Sequence, residues 1–116
     1  MGFQSDYMLR LIEMMGALVQ RIMGRIADGR SVEAIELADD AIGELTGLPV
    51  GTVDAMNGAG LVAFLSAGRT LDVDVASALG ELMVVRADAR EALAEHEAAE
   101  RDRERARALV EAVGER

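Results

Sequence analysis

The chain is predicted to be all-α, five or six helices arranged as helical hairpins behind a long N-terminal helix. Three observations predict it. Ala, Leu, Glu, Arg and Met, all good helix formers, dominate the 116 residues. Aromatic residues are confined to Phe3, Tyr7 and Phe64, and β-branched residues are scattered without the alternation that a half-buried strand requires. Apolar residues recur instead at helical spacing, most densely over the first thirty positions. A chain of this length is expected to form one domain, 1–116, around one modest core.

Helix 1 is expected from near Ser5, whose hydroxyl can cap free backbone N–H groups, to Asp28-Gly29, where glycine takes the left-handed conformation past a helix end. At 100° per residue Met8, Leu11, Ile12, Met15, Leu18, Val19, Ile22, Met23 and Ile26 form a continuous apolar face. Tyr7, Leu9, Met14 and Ala27 widen it to roughly 220° of arc, against the ~100° stripe of an ordinary surface helix. Such a helix needs two neighbouring surfaces, and it is expected to be the longest buried element. On its other side Gly16, Gln20 and Gly24, with Ala17, make a shallow strip that another backbone could approach.

Ser31 is expected to cap helix 2, with Val32, Ile35, Ala38, Ile42 and Leu45 facing inward and Glu33, Glu36, Asp39, Asp40 and Glu44 outward. Gly47-Leu48-Pro49 stops it. The short connection makes residues 1–48 an antiparallel helical hairpin in which helix 2 is too short to cover helix 1 along its length. Residues 49–60, with Gly51, Asn57, Gly58 and Gly60, read as a loop holding at most one helical turn around Thr52–Met56, and as the most flexible part. Residues 61–116 carry the C-terminal helices. Leu61, Val62, Phe64 and Leu65 form a short buried helix closed by Gly68, and Asp72 caps a longer one through Val75, Leu79, Leu82, Met83 and Val85. Beyond it, a hairpin near His96 and one long helix are both open, and the hairpin is preferred because an unsupported helix of that length is rare in a small domain.

Charge narrows the functional classes. The formal net charge is −9, and residues 31–85 hold nine acids against Arg69 alone. That balance opposes binding to nucleic acid or to an anionic lipid surface, because both need clustered cations. Every cation is Arg, so no Lys can serve as a Schiff-base nucleophile, and with no Cys there is neither a thiolate metal site nor a thiol nucleophile. Asp6, Arg10, Glu13, Arg21 and Arg25 interrupt the N-terminal apolar run, against both a signal peptide and a transmembrane span, so a cytoplasmic location is expected.

The candidate chemical motifs are thin. His96 and Glu100 lie one turn apart, but two ligands do not make a metal site, and a solvated histidine is the plainer reading. Asp72 and Asp74 lack the third oxygen ligand and the glycine of a calcium loop, and read as a cap and a helix-dipole acid. Glu97 to Arg101, Glu100 to Arg103 and Glu104 to Arg107 are spaced for a self-compensating solvated face. The glycines have no phosphate-loop spacing. No cofactor and no enzymatic activity are expected.

The segment "GRSVEAIELADDAI", with Gly29, Ala34, Ile35, Ala41 and Ile42, resembles the second half of a tetratricopeptide repeat, and Leu79, Gly80, Met83, Ala92 and Ala99 repeat the spacing farther along. The opening "DYMLRLIEMM" resembles the start of a family of small uncharacterised bacterial helical proteins. These resemblances imply a bacterial protein of tetratricopeptide-like hairpins that binds peptides or proteins, and they carry over no functional residue.

The expectation is a non-enzymatic protein-binding module that forms a homodimer. Tyr7, Leu11, Met14, Met15, Leu18, Ile22 and Arg25 on one flank of helix 1 are the expected interface, because two-fold pairing lets the same apolar patch cover itself. The acidic middle third suits a cationic protein or peptide partner. The alternatives are a carrier of a small apolar ligand, in a pocket that helix 1 would line with Phe64 and Met83, and a helix lying on a membrane surface.

Overall fold

The computed structural model of the chain describes residues 3–114, and the side chains of Phe3, Gln4, Ser5, Tyr7 and Met8 lie outside that description. Among the described residues seven helices follow one another: α1 (Phe3–Glu13), α2 (Met15–Ala27), α3 (Ser31–Thr46), α4 (Val50–Asp54), α5 (Gly58–Leu65), α6 (Val73–Ala92) and α7 (His96–Gly114). The fold is all-α, with more helices than the five or six expected, for two reasons. The N-terminal run is divided at Met14, and much of the stretch expected as a loop is helical.

The division at Met14 is slight. The Met14 N–H still donates to the Arg10 carbonyl and the Leu18 N–H to the Met14 carbonyl, each at 3.0 Å, while φ −85° and ψ −4° take Met14 out of regular helix. The break lies two residues before Gly16, and α1 beyond it touches α6. Nothing in the propensity of Met14 announces this, since methionine is a good helix former.

Two turns set the hairpins, and they share one geometry. After α2, Gly29 sits at φ +77°, the Arg30 N–H donates to the Arg25 carbonyl (2.7 Å) and the Gly29 N–H to the Ile26 carbonyl (3.0 Å). Those are the paired bonds of a Schellman turn. After α6, Ala94 takes the left-handed role at φ +64°, with the Glu95 N–H on the Arg90 carbonyl (2.8 Å) and the Ala94 N–H on the Glu91 carbonyl (2.9 Å). The hairpin preferred near His96 is therefore formed, by an alanine where a glycine would be ordinary.

The central element is α6, which packs on α7, α3 and α2. Between Val75 and Ala89 only Ser77, Glu81, Val84 and Asp88 are exposed, one residue per turn. Leu79, Leu82 and Met83 are fully buried, each stabilising the fold by roughly 1.5–3 kcal/mol relative to an exposed side chain. This corrects the expectation for helix 1, because the longest buried element is α6 at 20 residues, while α2 buries only Met15 and Ile22. Packed against both α2 and α6, α3 buries Ala34, Ala38 and Ala41, whose small side chains permit close helix packing.

Helix starts follow the expected chemistry unevenly. Asp72 accepts from the Asp74 N–H (2.9 Å) and the Val75 N–H (3.1 Å) and caps α6 as predicted. Ser5 lies inside the first turn of α1 rather than before it, and Ser31 is the first buried residue of α3, makes no cap hydrogen bond and leaves the cap position to Arg30. Val32, expected inward, is exposed. The 49–60 stretch folds into α4 and the first turn of α5, where Asn57 accepts from the Gly60 N–H at 2.8 Å. Gly58 fixes where that turn meets α7: its N–H donates to Glu104 Oε1 (2.8 Å), and a Cβ there would lie 2.5 Å from the Ala108 Cβ.

Candidate functional site

The seven residues expected to form an interface divide by burial. Met15 and Ile22 belong to the chain's own core and offer nothing to a partner, because α3 and α6 cover the inner face of α2. Met14 is 64% exposed, Leu11 and Leu18 are half-buried, and Arg25 is half-buried beside Glu33 at 3.4 Å. The Tyr7 side chain lies outside the described residues. What remains at the surface is a narrow flank, Leu11, Met14, Leu18 and Arg25. On the other flank of the same helical segments Leu9 and Met23 are about half exposed. Space is open around Gly16 and Gly24, so the glycine strip is not used for packing within the chain.

A cleft of about 770 Å³ opens between α1, the end of α3 and the α5–α6 junction. Leu9, Ile12, Leu45, Phe64, Leu65, Leu71 and Val75 supply its apolar lining, and Glu44, Arg69, Asp72 and Asp74 its charges. The small-ligand expectation placed helix 1 and Phe64 together at such a cleft, and they do meet there. Met83, expected with them, is instead fully buried in α6.

The most distinctive chemistry in the molecule is buried. Arg86 on α6 has no exposed surface, and its guanidinium spans three carboxylates. It grips Asp102 of α7 with Nε (3.0 Å) and a terminal nitrogen (2.6 Å), and reaches Asp39 of α3 at 2.8 Å and Asp54 of α4 at 2.7 Å. Asp102, equally buried, also accepts from Arg90 and Arg105, each at 2.9 Å. Arg105 donates in addition to the carbonyls of Asp54 and Met56, both at 2.8 Å, and so satisfies the C-terminal end of α4. Three guanidinium groups balance three carboxylates, and the cluster ties α3, α4, α6 and α7 together.

Burial alone works against the charged form of Arg86, but the hydrogen bond and charge of Asp102, with Asp39 and Asp54, outweigh it and hold the guanidinium above its ordinary value. Among the described residues no buried side-chain nitrogen or oxygen lacks a hydrogen-bond partner. Each buried nitrogen and oxygen of the cluster therefore has a partner within it. The role of the cluster is to position helices.

At the surface, α7 pairs across to α6. Arg103 donates to Glu91 at 2.8 Å, and His96 lies against the same carboxylate. The Arg103 hydrogen bond first, then His96, hold the Glu91 carboxyl below the usual carboxylate range. Charges expected to pair one turn apart within α7 take other partners: Arg103 takes Glu91 of α6, Glu104 the Gly58 N–H, and Arg107 Glu100, two turns back in α7, at 3.0 Å.

The arginine cluster escaped the sequence reading although its positions follow a helical face. Ala99, Asp102, Ala106 and Leu109 share the buried side of α7 with Arg105, and Arg86 stands in line with Leu79, Leu82 and Met83 on α6. Charges of opposite sign inside two facing apolar stripes are the signal that was available.

Among the described residues no group of three or more His, Cys, Asp or Glu side chains is placed to hold a metal ion, and no helix is long and apolar enough to cross a membrane. No family model, curated protein or solved structure matches the chain.

Proposed function

We propose that the chain is a non-enzymatic interaction module that pairs with a second copy of itself through the outer flank of α1 and α2. The observation that carries this reading is the exposure of Met14 at the junction of the two segments, with Leu11 and Leu18 half-buried beside it. Core packing consumes Met15 and Ile22 and leaves this flank uncovered. A two-fold contact covers it with its own copy, flexible thioether and leucine side chains filling the seam and Arg25 at its edge. The α2–α3 and α6–α7 pairs, with Ala34 and Ala41 buried where helices meet, support a tetratricopeptide-like reading of the hairpins and the binding role that goes with it. A second reading, a carrier of a small apolar ligand, is supported by the cleft beside Leu9, Ile12 and Phe64.

Sedimentation equilibrium of the wild type and Met14→Glu tests the first reading. The expected result is twice the 12.3 kDa chain mass for the wild type and one chain for the variant, which places a charge on an exposed position and leaves the core intact. A monomeric wild type, or a variant as dimeric as the wild type, refutes it.

A further inference from the structure

Asn57 is the only asparagine of the chain, and Gly58 follows it. In that dipeptide the glycine nitrogen can attack the side-chain carbonyl carbon of the asparagine, because no Cβ crowds the approach. In the folded chain both reacting groups are engaged elsewhere. The Gly58 N–H donates to Glu104 Oε1 of α7 at 2.8 Å, and Asn57 Oδ1 accepts from the Gly60 N–H at 2.8 Å as the cap of α5. Asn57 is exposed to water, whereas Gly58 is buried so close to α7 that a Cβ on it would lie 2.5 Å from the Ala108 Cβ. The Asn57 backbone is extended, at φ −82° and ψ −179°. Closing a five-membered ring requires ψ to turn from that value, and the turn draws the Gly58 nitrogen off Glu104.

We propose that Asn57 is a deamidation site which the contact between α5 and α7 keeps latched, and which reacts when Gly58 separates from Glu104. The Gly58 nitrogen gives up its proton and bonds to Asn57 Cγ. The Cγ–Nδ2 bond breaks, and the amino group takes a proton and leaves as ammonia. Water then opens the cyclic imide at either carbonyl, giving aspartate or isoaspartate at position 57. Water is the only co-reactant. Isoaspartate adds a carbon to the main chain directly before α5 and so displaces the Gly58 N–H from Glu104. Aspartate keeps an oxygen for the Gly60 N–H but brings a second carboxylate next to the Glu104 contact. The inference uses neither the α1–α2 flank nor the cleft beside Phe64.

The test follows the amide-to-acid mass change of the full chain, located at position 57 by fragmentation, in native buffer and in unfolding guanidinium chloride at the same pH. The folded wild type is expected to lose its amide at least about tenfold more slowly than the unfolded chain, because reaction then waits on local opening. Glu104→Ala, which removes the acceptor, is expected to speed the loss several-fold in native buffer while keeping a cooperative thermal transition. A second measurement needs no variant. In the wild type, hydrogen exchange at the Gly58 N–H is expected to rise with sub-denaturing guanidinium in proportion to the deamidation rate. Equal rates in the folded and unfolded chain, a Glu104→Ala chain no faster than wild type, or exchange and deamidation that change independently overturns the proposal. A Glu104→Ala chain slower than wild type also overturns it, by making Glu104 the base that promotes the attack.

Discussion

Replacing Arg86 by Met removes the one side chain that touches Asp39, Asp54 and Asp102 together. The cluster then holds two guanidinium groups against three carboxylates. Asp102, with no exposed surface, keeps Arg90 and Arg105 but loses its two-pronged partner, while Asp39 and Asp54, at 29% and 32% exposure, turn to water. Breaking a buried pair from one side costs about 3–5 kcal/mol, and the partial exposure of two of the three acids places this case near the lower end, about 3 kcal/mol. A chain of 116 residues unfolds with an entropy of about 0.24 kcal/mol per kelvin, so the melting temperature should fall by about 12 °C. Arg86→Lys keeps the charge without the planar fork and should recover only part of that loss. In Arg86→Met/Asp102→Leu the contact between the two is already gone when the second change is made, so the double variant should lose less than the sum of the two single losses, with a coupling of about 2 kcal/mol or more, while Arg90 and Arg105 lose an acceptor in both Asp102 variants. Thermal unfolding by circular dichroism measures each variant. An Arg86→Met protein that melts within about 2 °C of wild type would show that the cluster does not hold the helices together, and the reasoning fails.

Further outcomes follow from single contacts. Gly58→Ala should destabilise by about 1–3 kcal/mol in urea unfolding although alanine is the better helix former, because the new methyl group meets the Ala108 side chain at 2.5 Å. Ala94→Gly should stabilise by about 0.5–1 kcal/mol in the same assay, since glycine takes the left-handed turn at φ +64° without strain. Glu91 has a lowered folded-state value, so its contribution is complete above the ordinary glutamate value and is lost as pH falls through the lower one. Its carboxyl titration by NMR should have a midpoint below 4.5, moving upward in Arg103→Gln.

What the sequence made legible was whatever rests on local chemistry. Gly29 marks the end of α2 because its turn needs a left-handed residue, and Asp72 marks the start of α6 because its carboxylate reaches the free N–H groups. The same Schellman turn at Ala94 carries no glycine, so the α6–α7 hairpin could be preferred but not fixed. The Met14 break and the helical content of 49–60 depend on tertiary contacts, α1 meeting α6 and Gly58 meeting Glu104, which no local pattern records.

The candidate surfaces were legible in part for the same reason. Periodicity located an apolar arc on the N-terminal segments that is wider than one partner needs, but it could not divide the arc. Packing gave Met15 and Ile22 to the core and left Met14 outside. The arginine cluster stayed hidden because a charged residue on a helix is ordinarily solvated. Only the apposition of α6 and α7 brings Arg86 and Asp102 face to face.

The chain has no cysteine, so a single introduced thiol reports its own surroundings. Cross-linking of Met14→Cys with a bismaleimide, beside Val110→Cys on the equally exposed outer side of α7, tests the self-association flank most directly. Pairing through α1 and α2 predicts covalent dimer from Met14→Cys at dilute concentration and little from Val110→Cys; equal yields from the two positions, or none from Met14→Cys, would contradict it.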